Sequence, residues 1–302
     1  MSDTLTYDEF ANYLNNHLAE KIPAEYTPVN VHLHDKVMGN DKKVDLLVIQ
    51  SSKSSIAPSF YVDGLYEEYL TRSMTMDDLM DKIAEQYGRE LKQMQANDHV
   101  VDAIWDFNLI KHQIMPRLVN RSMSQDFLEH KVSYPIEDLA MTFYINLGEA
   151  VVHITEGLLN KWNITAETLK TTALSNLTPQ TVGLVKVWEY ISPFMDPFEG
   201  MDDETREICK KLPLYTIVTR HGHYGAAGIL CKELMDSLCK MFDENVLIIP
   251  SSSDEVIVMP ESMGDADLSA LIPQVNRTEV EDDKVLADHP YCYSINNGLC
   301  SL

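Results

Sequence analysis

The sequence has few positive charges. It contains 24 Lys and Arg residues against 47 Asp and Glu residues, which gives a formal net charge of −23. Nucleic-acid phosphates and anionic membrane surfaces repel such a chain. Basic residues occur in short pairs such as Lys42–Lys43 and Lys210–Lys211. We expect an acidic protein that binds no nucleic acid. A nucleic-acid mimic that occupies a basic partner surface is the alternative reading of the charge.

Long apolar runs and paired cysteine motifs are also missing. No stretch approaches the about 18 apolar residues that a membrane helix needs. The first residues have neither the basic nor the apolar region of a secretion signal. The five cysteines lie in the last third of the chain without a CxxC motif, which argues against a disulfide framework or a zinc knuckle. We expect a cytoplasmic protein with free thiols and no membrane contact.

The length and composition predict a folded α+β protein. The chain has 302 residues, 45% of them hydrophobic, enough for two domains. Residues 192–201 contain Pro193, Pro197 and Gly200 and form the best linker candidate. We predict mainly antiparallel sheets flanked by amphipathic helices, in two closely packed parts. The first is an α+β domain over residues 1–191, and the second covers residues 202–302 with the order β-β-α-β-β-α-β.

Local patterns place the elements of the first part. Thr6 and Glu9 form a capping box in front of a helical apolar stripe. Alternating apolar residues predict a strand at residues 29–33, and apolar runs predict strands at residues 44–49, 57–62, 110–119, 139–147 and 150–154. Residues 136–147 also fit a helix. In residues 182–191, Val182, Val185 and Trp188 recur at the spacing of one helix face.

Residues 214–260 carry the most consistent folding signals. A strand at residues 214–219 precedes three glycines, and a helix follows near residues 229–242. That helix has one apolar stripe, which places Cys231 and Cys239 in the core. Strands at residues 246–249 and 256–259 predict a hairpin across a polar turn at residues 251–255.

Histidine pairs are the candidate metal ligands. His32 and His34, and likewise His221 and His223, stand two residues apart, so each pair can point one way from a strand. A third ligand is needed, and Asp254 or the Asp288–His289 pair can supply it. The alternative is solvent-facing imidazoles.

Other catalytic patterns are incomplete. Gly222, Gly225 and Gly228 stand where a phosphate-binding loop lies, but the spacing is not GxGxxG and no Gly-Lys-Ser/Thr follows. Ser252 lies in a serine-rich turn without the Gly-x-Ser-x-Gly elbow. The candidate catalytic residues are Ser252, Asp254 and His289, and no cofactor is indicated.

Several phrases resemble one uncharacterised bacterial family. They include LIIPSSSDEVIVMP, VLADHPYCY, GAAGIL and ITEGLLNKWNITAETLKTTALSNLTP, and the likeness extends over nearly the whole chain. The family is a domain of unknown function from gut-dwelling Gram-positive bacteria. The resemblance implies one architecture and a bacterial cytoplasmic protein, but no activity. Where the family pattern has a hydrophobic residue and His, this chain has Ser253 and Asp254, which weakens a His-based site there.

Two functions follow from these patterns. The leading one is a non-catalytic interaction or regulatory protein whose acidic surface meets a protein partner. The alternative is an enzyme, such as a metal-dependent hydrolase, with a site where His221, Asp254 and His289 converge. The sequence specifies neither the partner nor the oligomeric state.

Overall fold

The chain forms two compact units. A computed structural model describes residues 4–52, 57–71, 74–95, 103–148, 150–220, 222–264 and 267–302. Unit 1 contains residues 1–38 and 42–102, and unit 2 contains residues 39–41 and 103–302. The segment proposed as a linker, residues 192–201, therefore lies inside unit 2.

Unit 1 is a three-stranded antiparallel sheet with helices. Its strands are β1 (Val29–Val37), β2 (Lys43–Ser51) and β3 (Ser59–Tyr61), in the order β1-β2-β3. Its helices are Tyr7–His17, Val62–Thr71 and Met76–Gln95. The predicted capping box is present, since Thr6 and Glu9 exchange hydrogen bonds at the start of the first helix. Phe10, Leu47 and Tyr87 are fully buried in its core.

The first sheet of unit 2 has a buried centre. It consists of β4 (Ile114–Asn120), β5 (Tyr134–Ile136), β6 (Leu139–Asn146) and β7 (Val151–His153), and β6 pairs with the other three. Every residue of β4 and β6 is buried. The helices of this part of the chain are Phe107–Ile110, Gln125–Leu128, Glu156–Trp162 and Ala166–Asn176.

The second sheet of unit 2 has six strands. These are β8 (Val182–Lys186), β9 (Tyr215–Thr219), β10 (Val246–Ile249), β11 (Val256–Pro260), β12 (Tyr291–Ser294) and β13 (Gly298–Ser301). Their order is β13-β12-β10-β11-β9-β8, and all pairings are antiparallel. The helices of this region are Val187–Ile191, Asp203–Lys211, Lys232–Phe242 and Leu268–Thr278.

The predicted fold class is confirmed, with local differences. Residues 182–191 are not one helix, because Val182–Lys186 pairs with β9 and only Val187–Ile191 is helical. The strand expected from residue 110 starts at Ile114, after the helix Phe107–Ile110. After residue 202 the order is α-β-α-β-β-α-β-β among the described residues, so one strand precedes the helix Lys232–Phe242 and β13 ends the chain.

Candidate functional site

The serine-rich turn meets the glycine segment. The Asp254 carboxylate accepts a hydrogen bond from the Tyr224 backbone N–H at 3.2 Å and lies 3.3 Å from the Lys284 Nζ. The Asp254 N–H donates to the Ser252 Oγ at 3.0 Å. Ser252 is buried. Both proposed catalytic side chains of this turn therefore hold the backbone in place.

The glycines of this segment allow close packing. A Cβ on Gly225 would lie 2.3 Å from the Asp254 carbonyl oxygen. A Cβ on Gly228 would lie 2.3 Å from the Cγ2 of Ile217 in β9. The absence of side chains at these two positions lets the segment lie against the sheet.

A buried arginine near this turn is not among the predicted site residues. Arg117 on β4 is only 3% exposed, and its guanidinium lies 4.1 Å from the Tyr224 ring centroid and 4.8 Å from that of Phe127. Burial lowers its pKa, while Tyr224 and Asp254 oppose that shift. A cation inside the apolar sequence of β4 was the available signal. Arg117 supplies positive charge to the interior beside Asp254.

His289 is held by two acceptors. Its Nε2 lies 3.1 Å from an Asp138 oxygen and its Nδ1 lies 3.0 Å from the Pro290 carbonyl oxygen. Because both partners only accept, both nitrogens must donate, and the ring is an imidazolium when both bonds form. Burial lowers the pKa of His289, but the Pro290 and Asp138 hydrogen bonds outweigh it and the pKa is raised. Such a ring has no free lone pair for a base or a metal ligand.

The Asp138 carboxylate joins His289 to β12. The Tyr291 hydroxyl donates to its second oxygen at 2.6 Å. Burial raises the pKa of Asp138, but the Tyr291 and His289 hydrogen bonds outweigh it and lower the pKa. Asp288 accepts from the Asn276 amide at 2.8 Å. The predicted Asp288–His289 pair thus has polar partners of its own.

His223 has a backbone partner of its own. The His223 Nε2 lies 3.1 Å from the Gly148 carbonyl oxygen, and His221 lies outside the described residues. His32 and His34 are exposed on one face of β1, as predicted. Within the described ranges no group of three or more His, Cys, Asp or Glu side chains is placed to hold a metal ion.

A different surface stands out in unit 2. We call residues 187–214, which join β8 to β9, the β8–β9 connection. Apolar side chains from it line a cavity of about 220 Å³, including Trp188, Ile191, Phe198 and Met201. Other apolar side chains of the same segment face solvent: Phe194 is 78% exposed, Met195 64% and Ile208 57%. Residues 192–201 of this segment are the predicted linker.

The β8–β9 connection is unevenly charged. Residues 187–204 contain six Asp and Glu residues and no Lys or Arg. Asp196 and Glu199 follow the exposed Phe194 and Met195, and both are exposed. Three cations follow on the helix Asp203–Lys211, where Lys210 is paired with Glu207 at 2.9 Å. The first part of the connection is therefore apolar, aromatic and purely acidic.

The fold and this surface define an α+β protein with an apolar acidic face and no metal cluster among its described residues. A family model described as a family of unknown function, DUF5688, matches residues 7–295. The chain belongs to this family. No curated protein and no solved structure matches the chain. None of the helices in the described ranges is long and apolar enough to cross a membrane.

Proposed function

We propose that this protein is a non-catalytic interaction protein, which binds a partner protein on the β8–β9 connection. The partner element is a basic segment with apolar side chains. The observation behind this proposal is a single segment that exposes apolar side chains, with Phe194 at 78% and Met195 at 64% exposure, and that also lines an apolar cavity. Exposed apolar patches mark interaction sites in soluble proteins.

Burial of these side chains is the source of affinity. Removing a Phe or Met side chain from water contributes about 1.5–3 kcal/mol. Aromatic anchors beside a pocket are typical hot spots of protein interfaces.

Charge selects the occupant. The β8–β9 connection has seven Asp and Glu residues against three Lys and Arg residues, and this acidic balance favours a cationic segment over an acidic one. Complementary charge speeds association and fixes specificity more than it raises affinity. Screening weakens it, because the Debye length is only about 8 Å at physiological salt. The apolar anchors therefore hold the segment, and the charges select it.

The contacts at the other candidate site support the same choice. Asp254 is engaged by the Tyr224 N–H and by Lys284, and both nitrogens of His289 face acceptors. These groups have structural partners, whereas Phe194 and Met195 are exposed to solvent.

A binding assay with defined peptides tests the proposal. The full chain is titrated into a labelled peptide that carries Leu and Phe on one helical face and Lys on the other, at physiological salt. Binding is followed by fluorescence anisotropy. We expect saturable binding, and Phe194→Ala should raise the Kd about tenfold or more, which corresponds to about 1.4 kcal/mol or more of lost burial.

Matched controls separate the surface from general charge attraction. Leu109→Ala removes an apolar side chain that is also 64% exposed, but from the helix Phe107–Ile110. Its Kd should equal that of the unmodified chain. A peptide with Glu in place of Lys should bind at least tenfold more weakly. Absence of basic-peptide binding, or equal effects of Phe194→Ala and Leu109→Ala, would refute the proposal.

A further inference from the structure

Two cysteines lie opposite each other at one edge of the six-stranded sheet. Cys292 of β12 and Cys300 of β13 are register partners in the antiparallel ladder. Side chains of directly opposed residues leave the same face of a sheet. The Sγ of Cys300 lies 3.5 Å from the Cys292 carbonyl oxygen. Both thiols are reduced.

The ladder spacing suits a disulfide. The Leu302 N–H donates to the Pro290 carbonyl oxygen at 3.1 Å, and alternation along the ladder then makes Cys292 and Cys300 a hydrogen-bonded pair. The Cα atoms of such a pair are about 5.5 Å apart, within the roughly 4.4–6.8 Å that a disulfide spans. Their Cβ atoms are further apart than a relaxed disulfide prefers, so the bond is strained and easily reduced.

The two thiols differ in reactivity. Cys300 is exposed on the outermost strand, whereas Cys292 is only 5% exposed. Burial, together with the charge of Glu261, raises the pKa of Cys292 to about 12. Because the thiolate is the nucleophile, Cys300 is the thiol that an oxidant in solution reaches and attacks first.

We propose that Cys292 and Cys300 form a reversible disulfide when the protein meets a peroxide. The Cys300 thiolate attacks one peroxide oxygen, the O–O bond breaks, and Cys300 becomes a sulfenic acid as hydroxide leaves. The Cys292 sulfur then attacks the Cys300 sulfur. The S–O bond breaks, and water leaves with the Cys292 proton. The two sulfurs lose two electrons in total, which the peroxide gains. This modification is independent of the binding function proposed above.

Peptide mass mapping tests the disulfide directly. Lys284 is the last Lys or Arg of the chain, so trypsin releases residues 285–302, a peptide with both of these cysteines and no other. The folded full-length chain is treated with hydrogen peroxide, denatured, alkylated and digested. The peptide should lose two hydrogen atoms and take no alkyl group. Dithiothreitol before alkylation should restore two alkylated cysteines.

Cysteine variants identify which two thiols form the disulfide. Cys300→Ser should abolish the loss of hydrogen atoms, and Cys209→Ser should leave it unchanged. Accessible thiols of the denatured chain should fall from the five of the sequence to three. Oxygen added to Cys300 without a disulfide, a covalent dimer of the peptide, or a bond from either cysteine to another thiol would overturn the proposal.

Discussion

Gly225 offers the sharpest test of how the candidate turn is built. In Gly225→Ala the new Cβ would lie 2.3 Å from the Asp254 carbonyl oxygen, 2.7 Å from the Val218 Cα and 2.8 Å from the Thr219 nitrogen. All three are backbone atoms, so no flexible side chain can move away. Overpacking a well-packed interior costs about 1–3 kcal/mol, sometimes more. We expect a loss of about 3 kcal/mol in the free energy of unfolding.

Gly157→Ala is the matched control in the same unit. Its Cβ would meet only the Thr155 Oγ1 at 3.6 Å, an ordinary contact, and Ala is the better helix former by up to about 1 kcal/mol. This variant should be neutral or slightly more stable. Urea denaturation followed by circular dichroism measures both. For a unit of this size, 1 kcal/mol corresponds to roughly 2–4 °C in Tm.

The Gly225 result also distinguishes packing from phosphate binding. A phosphate-binding loop would lose affinity for inorganic phosphate in Gly225→Ala while keeping its stability. Equal stability of Gly225→Ala and Gly157→Ala would contradict the close contact with the Asp254 carbonyl oxygen.

Two further predictions concern charged side chains. The stability that the charged His289 contributes is present below the ordinary His pKa and is lost as the pH rises through its raised pKa. Asp138→Asn should therefore lower the free energy of unfolding by about 0.5–1.5 kcal/mol near pH 6 and by less at pH 9. A loss that is the same at both pH values in urea titrations would be evidence against the imidazolium. Arg117→Ala should cost about 2–5 kcal/mol in the same assay, because it leaves a cavity in the core and removes cation–π contacts with two aromatic rings. Arg121→Ala, at an exposed position, should stay within about 0.5 kcal/mol, and equal losses would contradict the role of burial.

Features set by neighbouring residues were predictable from the sequence. The Thr6–Glu9 capping box depends on residues three apart, and the strands around the serine turn depend on one short loop. Local side-chain patterns are enough to predict these features, because the interacting residues are close in the chain.

Features that depend on distant partners were not predictable. Val182–Lys186 has a spacing compatible with a helix, but it pairs with β9 across the whole β8–β9 connection. His289 was proposed beside Asp254, yet its carboxylate partner is Asp138, 151 residues away. Non-local pairing overrides local preference in each case.

The register of β8 and β9 shows that the proposed binding surface is an insertion between two paired strands. Lys186 pairs directly with Tyr215, so the β8–β9 connection is the long loop of an antiparallel hairpin. A tight turn could join the same two strands in its place. Loops on a rigid scaffold tolerate insertion and exchange. The sequence of this loop can therefore change without altering the six-stranded sheet.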